Sequence, residues 1–161
     1  MRNPIGFPNP VNEKAARVVA GGVVLMAVAA IVLRLEWLLI AIALGFLARV
    51  LTGPTLSPLG QLATRVVAPR LGEPRYVPGP PKRFAQAMGV TMSLTAVVLY
   101  FAFDAHTAAW IVTGVLAAAA TLESVFALCL GCQVFAVLMR IGVVPESVCL
   151  ECADISRRQA A

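Results

Sequence analysis

Apolar residues gather along this chain in four long runs separated by short polar breaks. The first covers 18–33 and is closed by "RLE" at 34–36. The second starts at Trp37 and continues to about residue 51, with Arg49 as its only charge. A third covers 84–103, and "DAH" at 104–106 separates it from a fourth at about 107–128. At about 1.5 Å per residue the longer runs reach across a hydrocarbon core about 30 Å thick. The first pair is shorter, so it borrows flanking residues such as Ala15 and Ala16, tilts, or thins the bilayer. Backbone in lipid must satisfy its own hydrogen bonds, which leaves helices as the economical conformation. The pattern predicts an all-α fold: four transmembrane helices at about 15–34, 36–51, 84–103 and 107–129, as two tandem hairpins in a single membrane domain over 1–161.

Residues 52–82 break the pattern and read as a loop. "GPTLSPLG" and "GEPRYVPGPPKR" bracket "LGQLATRVVAPRL", where apolar and basic residues alternate at helical spacing. That predicts a short helix lying on an anionic membrane surface, with docking of a cytoplasmic partner as the alternative. After the fourth run, "QVFAVLMRIG" predicts one more short helix, stopped by Pro145 and followed by a tail over 142–161.

Composition strengthens the membrane reading: 60% of residues are hydrophobic, 13% are charged and the mean hydropathy is +0.86. Soluble domains average about 45–50% apolar and about 25% charged. The net charge of +5 would suit nucleic acid, yet the basic residues sit between apolar segments without interleaved aromatics. Lipid, not nucleic acid, is the expected partner. Twelve of the thirteen basic residues, counting Arg49 at the far end of the second run, fall before the first run, between the second and third, or after the fourth; only Arg34 lies in a hairpin tip. The asymmetry predicts a multi-pass protein of the inner (plasma) membrane with both termini and the loop cytoplasmic. Trp37 and Trp110 then lie at the outer interface. The N-terminal stretch lacks a small-x-small cleavage site and its apolar run is too long for a signal peptide, so the first run is expected to remain as a span.

A weak repeat relates the two halves. "KAARVVAGGVVLMAV" aligns with "KRFAQAMGVTMSLTA", matching Lys14 to Lys82 and Gly21 to Gly89. A duplication would relate the hairpins by an axis along the membrane normal, and Gly21, Gly22, Ala85 and Gly89 would allow close helix approach. The alignment also exposes two intramembrane charges. Arg49 lies 12 residues past Trp37 and Glu123 lies 13 past Trp110, depths of roughly 18–20 Å. A lone charge there costs at least ~2.5–3.5 kcal/mol, so an Arg49–Glu123 pair is expected, serving a small-solute transporter or complex subunit. The alternatives are an Arg49 that snorkels to the head groups and a protonated Glu123 bonded to Thr121, Ser124 or a backbone carbonyl.

All four cysteines lie between 129 and 152, as two C-x-x-C pairs. The orientation puts Cys129 and Cys132 at the cytoplasmic end of the fourth span, with Gly131 as a bend, and Cys149 and Cys152 in the tail. Cytosol keeps thiols reduced, which argues against a permanent structural disulfide. The spacing fits a four-cysteine zinc site, a structural clip tying the tail to the membrane domain. An iron–sulfur cluster suits the same ligands. The competing reading is dithiol chemistry: a Cys132 that opens the following helix would have its thiolate stabilised, and two dithiols could exchange a disulfide or pass on a sulfane sulfur. Tail acids Glu146, Glu151 and Asp154 would make Cys149 and Cys152 poorer nucleophiles. Either reading requires the four sulfurs to converge. His106, beside Asp104, reads as an exposed turn residue, and no phosphate-cradling glycine loop is present.

The stretches "PVNEKAARVVAG", "GPPKRFAQAMG", "CLGC" and "VPESVCLECADI" resemble a family of short bacterial integral membrane proteins of unknown function, common among actinobacteria. The resemblance implies four spans and four cysteines but no activity. It also implies a thioredoxin-like or sulfurtransferase partner in the cytoplasm, which favours the thiol reading.

Overall fold

In the computed structural model, which describes residues 7–150 and 152, the protein is all-α apart from one two-residue ladder. Helix α1 (Glu13–Leu33) is followed by α2 (Trp37–Thr52), the short α3 (Pro58–Leu62), α4 (Gly79–Phe101), α5 (His106–Phe126) and α6 (Leu130–Arg140). Strands β1 (Val11–Asn12) and β2 (Tyr76–Val77) pair antiparallel. Local sequence sets these limits. Asn12 caps α1 by accepting from Lys14 N–H at 3.0 Å, and Pro80 and Pro81 sit in the opening turn of α4, where a missing N–H costs nothing.

Three helices, α1, α4 and α5, are long and apolar enough to cross a membrane. The expected fourth, α2, has 16 residues, about 24 Å at helical rise. It stops because Gly53 adopts a φ of 62° and Pro54 follows. The chain then turns inward, and helical segment 58–71 packs on α1. There Leu59 fills the space over Gly22 that a Cβ would occupy. The stretch expected to lie on a lipid surface is therefore partly buried, with Ser57, Gly60, Ala63 and Ala68 inside.

The helices pack most extensively as α1 on α5 and α2 on α4. Small residues make this possible, as expected from the sequence. A Cβ on Gly21 would meet Ser124 Oγ at 3.1 Å, and one on Gly89 would fall on the Phe46 ring. The buried core is narrow and alanine-rich, built around Ala20, Val23, Ala27, Ile42 and Phe46. Outside it, Leu25, Val32, Leu44, Ile111 and Val125 stay exposed. So much exposed aliphatic surface is foreign to a monomer in water and suits a lipid surround.

One end of the bundle gathers the α1–α2 and α4–α5 connections. Arg34 lies 5.8 Å from the Trp110 ring centroid, and Tyr100 packs against both Trp110 and His106. His106 is half exposed, 3.9 Å from Asp104. The opposite end holds every other feature with chemical interest.

Candidate functional site

The end of α5 positions the first cysteine pair. Ala127 takes a left-handed conformation, φ 56°, and Ala127 and Leu128 N–H both donate to Leu122 carbonyl. Arg17 from α1 donates to the carbonyls of Ser124 and Val125, at 3.0 Å each. The last turn of α5 is thus closed by an arginine, which also opposes the negative end of the helix dipole. The chain leaves it in a fixed direction, and Cys129 becomes the N-cap of α6.

The expected bend at Gly131 is not where the chain turns; Ala127 does that. Gly131 lies inside α6, where its missing Cβ allows contact with the Ala85 backbone of α4. The Phe84 and Phe135 rings, 5.6 Å apart, fix the same crossing. The apolar segment after the cysteines forms the expected short helix and folds back on α4. The helix start passes from Cys132 to Cys129, and Cys132 sits one turn in.

The two thiols interact with each other. Cys132 donates to the Cys129 sulfur, and this holds the Cys129 thiol below its ordinary range against the opposing effect of burial. The nearby Lys82 charge acts in the same direction. Cys132 is pushed strongly up, first because its proton is committed to Cys129 and then by burial. Cys129 is the thiolate-prone member and Cys132 holds the proton. The neighbouring thiol has the largest effect on Cys129, and the Cys132 backbone N–H in the first turn of α6 adds a smaller one in the same direction.

Beside the dithiol lies a buried ion pair: Lys82 Nζ is 2.6 Å from Glu123 Oε1, with both side chains largely enclosed. Lys82 takes the place beside Glu123 that the matched depths of the two charges predict for Arg49. An apolar run that begins at 84 leaves Lys82 in the loop, whereas the helix starts earlier. The signal was in "GPPKR": prolines suited to a helix start place α4 at Gly79 and Lys82 in its first turn. Arg49 instead donates from Nε to Gln86 Oε1 at 2.9 Å and from Nη1 to Ser57 Oγ at 3.3 Å. Its guanidinium carbon also lies 4.6 Å from the Phe46 ring centroid. At 4% exposure it does not snorkel. Glu123 reaches Arg49 only through space.

The second cysteine pair is in another state: Cys149 and Cys152 form a disulfide, while Cys129 and Cys132 are free thiols. Among the described residues no group of three or more His, Cys, Asp or Glu could hold a metal ion. The four-sulfur zinc or iron–sulfur arrangement is not formed, because two of its ligands are bonded to each other. Glu151 and Asp154, invoked against the tail thiols, lie outside the described residues, as do Arg2, Arg157 and Arg158.

No curated protein and no solved structure matches the chain. Residues 11–140 match a family described as Domain of unknown function. The matched region takes in Arg49, Lys82, Glu123, Cys129 and Cys132 and ends before Cys149 and Cys152. The ion pair and the first dithiol therefore belong to the shared domain, and the chain is a member of the DUF4395 family.

Proposed function

We propose that this is a multi-pass plasma-membrane protein that carries out thiol–disulfide or sulfur-transfer chemistry through Cys129 and Cys132. The observation that carries the reading is the unequal pair: a thiolate-prone Cys129 next to a proton-holding Cys132, with a disulfide on the same chain. A ring closed over three residues removes little chain entropy, so the Cys149–Cys152 bond suits exchange better than stabilisation. In the proposed step the Cys129 thiolate attacks one sulfur of a disulfide, either the tail's or that of a thioredoxin-like partner. A mixed disulfide forms, and the leaving thiolate takes up a proton. Cys132 then loses its proton and attacks the Cys129 sulfur, releasing the second thiol. Two electrons pass to the acceptor and a Cys129–Cys132 disulfide remains. With a persulfide donor, the same first attack takes the sulfane sulfur and frees the donor thiolate. Attack by Cys132 would then release hydrosulfide.

The reading includes four crossings, with the short α2 accommodated by a thinned bilayer, and both termini cytoplasmic. Twelve basic residues against one support that orientation. Two hairpins related along the membrane normal are supported by the matched close approaches, Gly21 on Ser124 and Gly89 on Phe46.

Trapping tests the chemistry. Cys132→Ala, treated with an aromatic disulfide reagent, should hold a mixed disulfide at Cys129, and Cys129→Ala should hold none at Cys132. Stable adducts at Cys132 alone would end the assignment. Added Cys149→Ser and Cys152→Ser substitutions separate tail from partner: a partner adduct that persists without the tail cysteines identifies the external acceptor.

A further inference from the structure

Beyond the dithiol, a cavity of about 1210 Å³ opens between the N-terminal segment, the start of α1, the end of α2 and the loop. Its polar lining includes Arg49, Lys82, Gln86, Asn12, Thr52 and Thr64, and no aspartate or glutamate is among the described residues that line it. Lys82 is neutralised by Glu123. Arg49 has no carboxylate in hydrogen-bond contact: both of its acceptors, Gln86 and Ser57, are uncharged, and Glu123 acts on it only through space. Moreover, Arg49 Nη2 is buried without a hydrogen-bond acceptor among the described residues. An enclosed guanidinium nitrogen with nothing to donate to is costly, and so is an enclosed cation whose counter-charge acts only at a distance. A water molecule or a neutral carbonyl would remove only the first cost. An oxyanion would remove both, and the planar fork of arginine matches it. Gln86, whose carbonyl oxygen is committed to Arg49, keeps an amide nitrogen as a second donor. The broken backbone at 53–57 has the same logic: irregular chain at membrane depth is tolerated where it lines such a cavity.

We infer that this cavity is a binding site for a small oxyanion, a carboxylate-, sulfate- or phosphate-bearing group, held by Arg49 with Gln86 beside it. The site does not depend on the thiol chemistry proposed above. A free solute and the phosphate of a lipid head group present the same oxygens, so the test has an arm for each.

The full chain is purified in detergent at constant ionic strength, with chloride as the balancing anion. Sulfate, inorganic phosphate and acetate are titrated by calorimetry and by thermal shift. In the second arm, the protein in a phosphate-free maltoside detergent is compared with the same protein after addition of phosphatidylglycerol. Saturable binding or stabilisation is expected in at least one arm. Arg49→Lys keeps the charge but loses the fork, and should weaken it about tenfold, the discrimination expected of one charge-assisted bond. Thr64→Trp leaves Arg49 intact and crowds the cavity from an exposed wall position, and should weaken binding; it decides the matter if Arg49→Lys fails to fold. Binding in neither arm, or binding that both variants retain, overturns the site.

Discussion

At the residue scale the molecule turns on which cation each buried acid faces. Lys82 and Glu123 are enclosed together at 2.6 Å, so removing one charge strands the other. Glu123→Gln is expected to destabilise the protein by about 3 kcal/mol, the usual cost of breaking a buried pair. Lys82→Met combined with Glu123→Leu should recover most of that loss in chemical denaturation. Neutralising Arg49 should not rescue Glu123→Gln, because its hydrogen bonds go to Gln86 and Ser57; rescue by Arg49 would restore the Arg49–Glu123 pair as the operative one. The thiols give a pH prediction with a definite sign. Cys132 donates to Cys129 and lowers its pKa, so Cys132→Ala should move the midpoint of Cys129 alkylation to higher pH. A midpoint that stays in place would mean that Lys82, not Cys132, sets the thiolate.

At the scale of elements, α6 is held by a contact that only glycine allows. A Cβ at residue 131 would lie 2.5 Å from Ala85 Cα, a distance that backbone cannot yield by rotamer change. Gly131→Val should therefore lift α6 from α4, separate Phe84 from Phe135, and raise the alkylation rate of Cys132 severalfold. Unchanged reactivity would show that the dithiol does not depend on this crossing. Gly89→Ala is a milder probe, since Phe46 is a side chain that can move; a loss of about 1–3 kcal/mol is expected from overpacking.

For the molecule as a whole, orientation decides which compartment the dithiol and the cavity face. In a variant without its native cysteines, a probe cysteine at position 75 should be shielded from a membrane-impermeant reagent in intact cells, and one at position 105 should be labelled. These positions lie at opposite ends of the bundle, by the loop beside α1 and at the tip before α5. The reverse pattern would place Cys129 and Cys132 outside, where an oxidising compartment would favour their disulfide.

Helix existence was legible in the sequence because apolar runs of spanning length admit one conformation in lipid. The limits at 13–33, 37–52 and 106–126 fall within a few residues of the expected 15–34, 36–51 and 107–129. The glycine contacts were legible for the same kind of reason, since only small residues permit close helix approach. Pairing was not. Arg49 and Glu123 have matched depths along their helices, but depth says nothing about which face of the bundle a side chain occupies. Lys82 reached Glu123 because α4 begins five residues earlier than its apolar run. The thiol assignment moved from Cys132 to Cys129 because a left-handed Ala127, closed onto Leu122 and backed by Arg17, fixed where α6 starts. Sequence determined the helices and their small-residue seams through local hydrophobicity and size. Tertiary structure alone decided the Lys82–Glu123 pair, the unequal thiols and the incompletely bonded Arg49, because each depends on contacts between segments distant in the chain.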